Sequence, residues 1–267
     1  MVGVRFRRFI ERGLERLNLK RANELVYDLN KLFHAYATRR YGRIRGKKCL
    51  VVGCHKGRDC RYFVRFGAME VHGLDIMMEV GEDFAHPKVT YYRASCENMD
   101  GVPADYYDLV YCFATMEHVP RIDLAFSEMV RVSRPGGIIY AFSSPLWNSR
   151  YGHHRKDILR DPWIHLRYDQ DEIIRYCMSW GICGVQGGHS VKAVVDYVLN
   201  RKFFNRISAK TYIDVCSRLQ GIRIIKNKLF FEEPDVLSPA LKLELLQKGY
   251  AEEELLAVSH TFVARKL

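Results

Sequence analysis

Leu50-Val51-Val52-Gly53-Cys54-His55-Lys56-Gly57-Arg58-Asp59 reads as a strand, a glycine turn and the first residues of a helix. Glycine there permits a tight bend and close backbone approach, and the helix start offers free N–H groups. The next apolar run, Val71-His72-Gly73-Leu74-Asp75, closes on a carboxylate. At the end of a second strand such a carboxylate can accept both hydroxyl protons of a ribose. The glycine spacing is GxxxG, whereas a dinucleotide fingerprint requires GxGxxG. No GxxxxGK[ST] occurs, which excludes a nucleoside-triphosphate P-loop. Taken alone, the turn fits a plain βα connection equally well.

Outward from this turn the pattern alternates. Apolar runs predict strands over 49–53, 70–75, 89–93, 108–113 and 138–142, with helices over 58–66 and 122–134 between them. Pro135-Gly136-Gly137 stops the second of these helices. A helix over 171–180 and a strand over 182–185 follow. Apolar strands alternating with helices predict a mainly parallel α/β sheet covered on both faces. The last third differs: helical patterns over 191–204, 209–219 and 240–249, broken by Pro234 and Pro239, precede a closing strand over 259–265. The expected organisation is N-terminal helices over 1–46, an α/β core over 47–190, a helical insertion or cap over 191–258, and a final core strand over 259–267.

The 267 residues are 48% hydrophobic and 27% charged, the make-up of a globular chain and not of a disordered one. One large domain, or one with an appendage, fits this length. No apolar run approaches the ~20 residues that a membrane-spanning helix needs. Arginines interrupt the N-terminal apolar stretch and no small-residue cleavage site follows, so no secretory signal is expected and a cytoplasmic protein is the default. The eight cysteines form no CxxC pair and several sit in apolar runs, which argues against a disulfide framework or a thiolate zinc site.

The net charge of +11 is concentrated at one end. Residues 1–48 hold 14 Lys+Arg against 4 Asp+Glu, a net of +10, which leaves +1 for the rest. The segment reads as two helices. Phe6, Phe9, Ile10, Leu14 and Leu17 recur at helical spacing beside a stripe of Arg5, Arg8, Arg12 and Arg16. Ala22, Leu25, Val26, Leu29, Leu32, Phe33 and Tyr36 form a second amphipathic run. These helices pack on the core with solvated arginines, or they meet an anionic membrane surface, a phosphate-bearing substrate or nucleic acid. Nucleic acid ranks last and is not expected, because aromatics are not interleaved with the bases as a stacking platform requires.

Further segments follow in order. Ser95-Cys96-Glu97-Asn98-Met99 comes after the third strand, and Asp108-Leu109-Val110-Tyr111-Cys112-Phe113-Ala114-Thr115-Met116-Glu117-His118-Val119 is the fourth strand and its exit. Glu128-Met129-Val130-Arg131-Val132-Ser133-Arg134-Pro135-Gly136-Gly137 precedes the fifth. This ordered set resembles the class I S-adenosylmethionine-dependent methyltransferases, in particular their type 11 branch, over about residues 47–188 and the closing strand. The resemblance implies a Rossmann-like fold and S-adenosylmethionine as cofactor. Position by position, it implies that Gly53, Cys54, His55 and Gly57 line the methionine portion, that Asp75 holds the ribose hydroxyls, and that Ile76 lies against the adenine. Cys96 and Glu97 would edge the adenine, and Phe113 would lie beside the sulfonium. Three positions depart from the family pattern: Val51 stands for an acid before the turn, His55 for its central glycine, and Ser95 for an acid near the adenine.

Methyl transfer from a sulfonium is an in-line displacement, and a hydroxyl acceptor needs a base. His118, at the exit of the fourth strand, is the first candidate; His153 and His154 are its rivals. All three have a bland alternative as packing or capping residues. The rivals lie in Ser144-Pro145-Leu146-Trp147-Asn148-Ser149-Arg150-Tyr151-Gly152-His153-His154-Arg155, a loop expected at the ligand end of the sheet. Trp147, Tyr151 and Arg155 are its candidate acceptor-binding residues, since Trp and Tyr faces suit sugar rings and Arg suits phosphate. Such loops resemble those of methyltransferases of surface-polysaccharide biosynthesis, which implies a sugar, glycan or related small-metabolite acceptor. Some type 11 relatives in quinone biosynthesis carry ExxEH and bind a divalent ion, but Ala114 stands in the first place here, so no metal is expected. The basic segment suggests peripheral association with an anionic membrane on its cytoplasmic side. Two readings of other classes remain: a non-catalytic binding protein on the same fold, and an RNA methyltransferase. The oligomeric state is not legible in the sequence.

Overall fold

The computed structural model describes residues 19–181, 190–199 and 203–267. The expected helix over residues 6–17, with its arginine stripe, and the expected strand over 182–185 lie outside them. A seven-stranded sheet forms the centre, in the order β3-β2-β1-β4-β5-β7-β6. Its strands are β1 (Lys48–Val52), β2 (Glu70–Asp75), β3 (Val89–Arg93), β4 (Tyr107–Phe113), β5 (Ser133–Ser143), β6 (Ile222–Phe231) and β7 (Ala257–Lys266). The first five run parallel, and β7 lies antiparallel between β5 and β6. This is the expected Rossmann-like α/β sheet with helices on both faces.

The chain builds outward from β1 to β2 and β3, then returns to place β4 on the other side of β1. That reversal opens a crevice beyond the carboxyl ends of β1 and β4, where an open α/β sheet receives its ligand. Both faces are buried because every central strand is apolar. Leu50, Val52, Val110, Cys112, Ile139 and Phe262 face one core, and Cys49, Val51, Leu109, Tyr111, Ile138 and Val263 the other.

Helix α1 (Leu19–Ala37) and α2 (Cys60–Arg65) flank the second face; α3 (Ile122–Val132) covers the first. In α3, Ile122, Ala125, Phe126, Met129 and Val132 fall on one stripe and are all buried. Truncating Phe126 to Ala costs about 3–5 kcal/mol by the usual cavity penalty. Helix α1 departs from its amphipathic pattern. Leu29, Leu32, Phe33 and Tyr36, its regular apolar stripe, are 36–57% exposed. Its inward side instead carries Ala35, His34, whose Nδ1 lies 2.7 Å from the Tyr140 hydroxyl, and Lys31, paired with buried Asp59 at 3.0 Å.

The last third holds α4 (Ile164–Arg167), α5 (Gln170–Ser179), α6 (Val191–Leu199), α7 (Ala209–Arg218), α8 (Pro239–Gln247) and α9 (Glu252–Leu256). Local chemistry sets several starts. Asp169 and Glu172 form a capping box on α5, Ser208 caps α7, and Ser238 with Pro239 opens α8. The region expected to be wholly helical also contributes β6, an edge strand of the main sheet, so it is only in part a cap.

Candidate active site

At the first turn, Gly53 N–H and Cys54 N–H both donate to the Leu74 carbonyl, at 2.8 and 3.2 Å, tying β1 to β2. Asp75 then bridges the two strand ends. Its Oδ2 accepts the His55 N–H at 2.7 Å and its Oδ1 the Met77 N–H at 3.1 Å. Gly53 has φ +71°, and a Cβ there would stand 2.0 Å from Thr115 Oγ1, so the turn closes directly on the exit of β4. Gly57, at φ +85°, faces Tyr91: a Cβ would meet the tyrosine oxygen at 2.2 Å. His55 takes a left-handed φ of +49° without being glycine.

Beside Asp75, Ile76 is 66% exposed, with Met77 and Met78 also open to solvent. Across the crevice Cys96 is buried, and Glu97 Oε1 accepts the Arg121 N–H at 2.7 Å while the Glu97 N–H donates to Ser95 Oγ at 3.1 Å. A carboxylate flanked by an open apolar surface is the pairing that an adenosine needs, hydroxyls on one side and base face on the other. The Asp75 carboxylate beside the open side chain of Ile76 is such a pairing. Phe113, at the end of β4, is buried between Tyr27 and His34 of α1 and Phe142 of β5, with ring centroids at 5.9, 5.2 and 5.4 Å.

After Phe113 the chain turns sharply. Ala114 has φ +48° and its N–H donates to the Phe142 carbonyl at 2.8 Å. Glu117 and His118 follow on a short 3-10 turn, and His154 arrives from the loop after β5. Glu117, His118 and His154 each present one ligand atom, all within 4.8 Å of one another. This donor set can hold a divalent cation.

The hydrogen bonds fix what each group offers. His118 Nδ1 meets the Phe203 carbonyl and His154 Nε2 the Pro145 carbonyl at 3.1 Å. A carbonyl only accepts, so these nitrogens carry the protons, leaving lone pairs on His118 Nε2 and His154 Nδ1. Burial pushes His154 down to about 3 and holds His118 below the ordinary histidine range, so both are neutral at pH 7. Glu117 is 3% exposed, its Oε2 makes no hydrogen bond, and burial pushes its carboxyl up to about 8.

The other sequence candidates stand elsewhere. His153 is fully buried, accepting the Arg155 N–H at 3.0 Å and meeting the ring of His165 at 4.9 Å, and it does not join the Glu117, His118 and His154 group. Trp147, 8% exposed, packs on His165 and Phe204 with Arg206 over its ring. Half-buried Tyr151 lies under Arg150 and Lys156, and Arg155 grips Asp157 through two bonds of 3.0 Å. Sequence spacing missed Asn205, whose side-chain amide donates to the carbonyls of Met116 and Val119 and so holds the Glu117–His118 turn. It missed Phe204 too, whose ring lies 5.3 Å from His118 and 5.0 Å from His154. Both come from a distant loop, with no local signal to mark them.

Residues 50–141 match the family model described as a methyltransferase domain. A ubiquinone biosynthesis O-methyltransferase of Shewanella sp. strain ANA-3 is 33% identical over 118 residues, 42% of this chain and 50% of that protein. A sterol 24-C-methyltransferase of Yarrowia lipolytica is 32% identical over 111 residues, 39% of this chain and 29% of that one. The chain thus spans half or less of the length of these curated relatives. Among solved structures, an S-adenosylmethionine-dependent methyltransferase from Mesorhizobium loti superposes with a TM-score of 0.53 at 18% identity, covering 86% of this chain and 96% of that one, a likeness of fold. Residues 50–141 are thus similar to a methyltransferase domain, on a fold shared with an S-adenosylmethionine-dependent methyltransferase.

Proposed function

We propose that the protein transfers the methyl group of S-adenosylmethionine to a hydroxyl of a small, polyhydroxylated acceptor, a sugar, glycan or related metabolite. When bound, the cofactor supplies an electrophilic methyl on a sulfonium. Asp75 holds the ribose hydroxyls, Ile76 and Cys96 border the adenine, and the Gly53–His55 turn positions the methionine portion. The observation that carries the reading is the convergence of Glu117, His118 and His154 at the exit of β4. His118 Nε2 and His154 Nδ1 present lone pairs, which suits a ligand bearing hydroxyl donors, and the protonated Glu117 carboxyl can donate to the ligand's oxygen. His118 Nε2 takes the hydroxyl proton as the oxygen attacks, and His154 Nδ1 and Glu117 orient the hydroxyl beside it. Proton removal by a placed base contributes about 10²–10⁴-fold.

The half-buried Tyr151 and the arginines of the loop after β5 support a saccharide, while Trp147 acts as a wall and not as an open stacking face. The +10 charge of residues 1–48 suits an enzyme working beside an anionic membrane that carries a lipid-linked acceptor. The test is transfer of radiolabelled methyl to a panel of sugars, phenols and amines. Labelled sugar, lost in His118→Ala with cofactor binding intact, supports the reading; labelling of amines or phenols alone overturns the acceptor class. For the membrane, Arg5→Glu, Arg8→Glu, Arg12→Glu and Arg16→Glu together should reduce vesicle binding, and unchanged binding refutes it.

A further inference from the structure

At the opposite end of the central strands, before the start of β1, lies a feature that methyl transfer does not use. Helix α1 ends in a 3-10 turn, Thr38–Arg40, and the chain then loops through Arg43 and Arg45 into β1. Together with Arg65 and Phe66 at the end of α2, this loop lines a cavity of about 630 Å³. Five exposed arginines, Arg39, Arg40, Arg43, Arg45 and Arg65, are among the residues that line it. Among the described residues, none of the five has a carboxylate within ion-pair distance.

Six arginines elsewhere, Arg58, Arg121, Arg131, Arg134, Arg155 and Arg167, each grip an Asp or Glu. The ends of two short helical segments face the cavity, but a helix C-terminus supplies only about half a negative charge over its last turn. That does not balance five positive groups. More positive charge borders the region, since Arg40 is among the groups that depress the Lys226 ammonium, after its burial and Lys228. Repulsion of this kind is relieved by an anion. The planar forks of arginine favour phosphate oxygens, which they bind in pairs. Arg39 also stacks over Tyr36 and Phe66, at 4.8 and 5.7 Å, which holds one side of the cavity in place.

We propose that this cavity is a phosphate-binding site for a ligand carrying at least two phosphate groups, a soluble diphosphate compound or the head groups of anionic phospholipid. Its volume exceeds what one tetrahedral anion fills. β1 separates it from the Gly53 turn by a five-residue strand, about 17 Å, so its ligand does not overlap the methyl donor. The site anchors the protein or its acceptor and takes no part in the transfer. It stands whether or not the chain methylates a sugar.

The test is calorimetric titration of the full chain with inorganic pyrophosphate at low salt. Binding is expected, weakening about tenfold or more in the Arg43→Ala/Arg45→Ala/Arg65→Ala variant and falling steeply as ionic strength rises. Cofactor affinity of that variant should be unchanged, which reports that it folds. The matching triple lysine variant keeps the charge and loses the paired bonds, so it should bind several-fold more weakly than the wild type. Phosphatidylcholine vesicles with and without phosphatidylglycerol separate the sources. Retention on the anionic vesicles, displaced by pyrophosphate, identifies head groups; pyrophosphate binding without retention identifies a soluble ligand. No pyrophosphate binding at low salt, or equal binding by wild type and both variants, overturns the site.

Discussion

The rings of His118 and His154 meet edge to face, centroids 5.1 Å apart and planes at 70°, joining the exit of β4 to the loop after β5. Each ring is pinned by a carbonyl on its far side, so the two lone pairs point inward toward Glu117. The proposed proton acceptor is thus built by two segments that only the sheet brings together.

His118→Ala is expected to slow methyl transfer by about 10²–10⁴-fold while S-adenosylmethionine affinity changes little. Single-turnover rates and calorimetry on the same preparation check this. Wild-type turnover in the variant rules the role out.

Glu117 gives a signed pH dependence. Burial raises its folded pKa to about 8, above its ordinary value of 4.5, so the folded state keeps a proton that the unfolded chain gives up. The stability contribution is full below pH 4.5 and is lost as the pH rises toward 8. Glu117→Gln removes this dependence and should gain on the wild type by up to a few kcal/mol across that window. Denaturant melts at pH 5 and pH 8 measure it; an unchanged difference between the two proteins contradicts the buried, protonated carboxyl.

How far the sequence carried the reading differs between elements. β1, β2 and β4 were legible because their runs are buried on both faces, as central parallel strands require. β6 was not: as an edge strand it is half exposed, and two bulges, between Ile224 and Lys226 and between Phe230 and Phe231, break the alternation that would mark it. The stripe on α1 was legible as amphipathic, yet the structure turns it outward, because Lys31 and His34 find specific partners inside. In the site, Asp75 and the Glu117–His118 pair stood out from local order in the chain. The choice between His153 and His154 did not. These neighbours diverge because His154 takes a left-handed φ of +61°, a property of the folded loop.

His153 should therefore behave as a core residue. His153→Ala is expected to cost about 2–4 kcal/mol by cavity formation and to leave the transfer rate per folded molecule nearly unchanged. Burial pushes its folded pKa down to about 2, so its stability contribution is present above pH 6.5 and lost as the pH falls. The variant should show a shallower acid decline than the wild type. A catalytic loss without a stability loss contradicts this assignment.

Metal removal is the next check. Glu117, His118 and His154 form a possible donor set, but the proposed transfer needs only a proton acceptor there. Dialysis against a chelator is expected to leave the rate unchanged. A loss restored by added zinc or manganese contradicts that and makes the histidines ligands.

Cofactor binding tests the central claim most directly: calorimetric titration of the full chain with S-adenosylmethionine and, separately, with S-adenosylhomocysteine. Micromolar binding of both is expected, weakened about ten- to a hundred-fold in Asp75→Ala by loss of charged hydrogen bonds to the ribose. No binding of either ligand would contradict a working donor site in the Gly53–Gly57 turn and leave the fold as that of a binding protein.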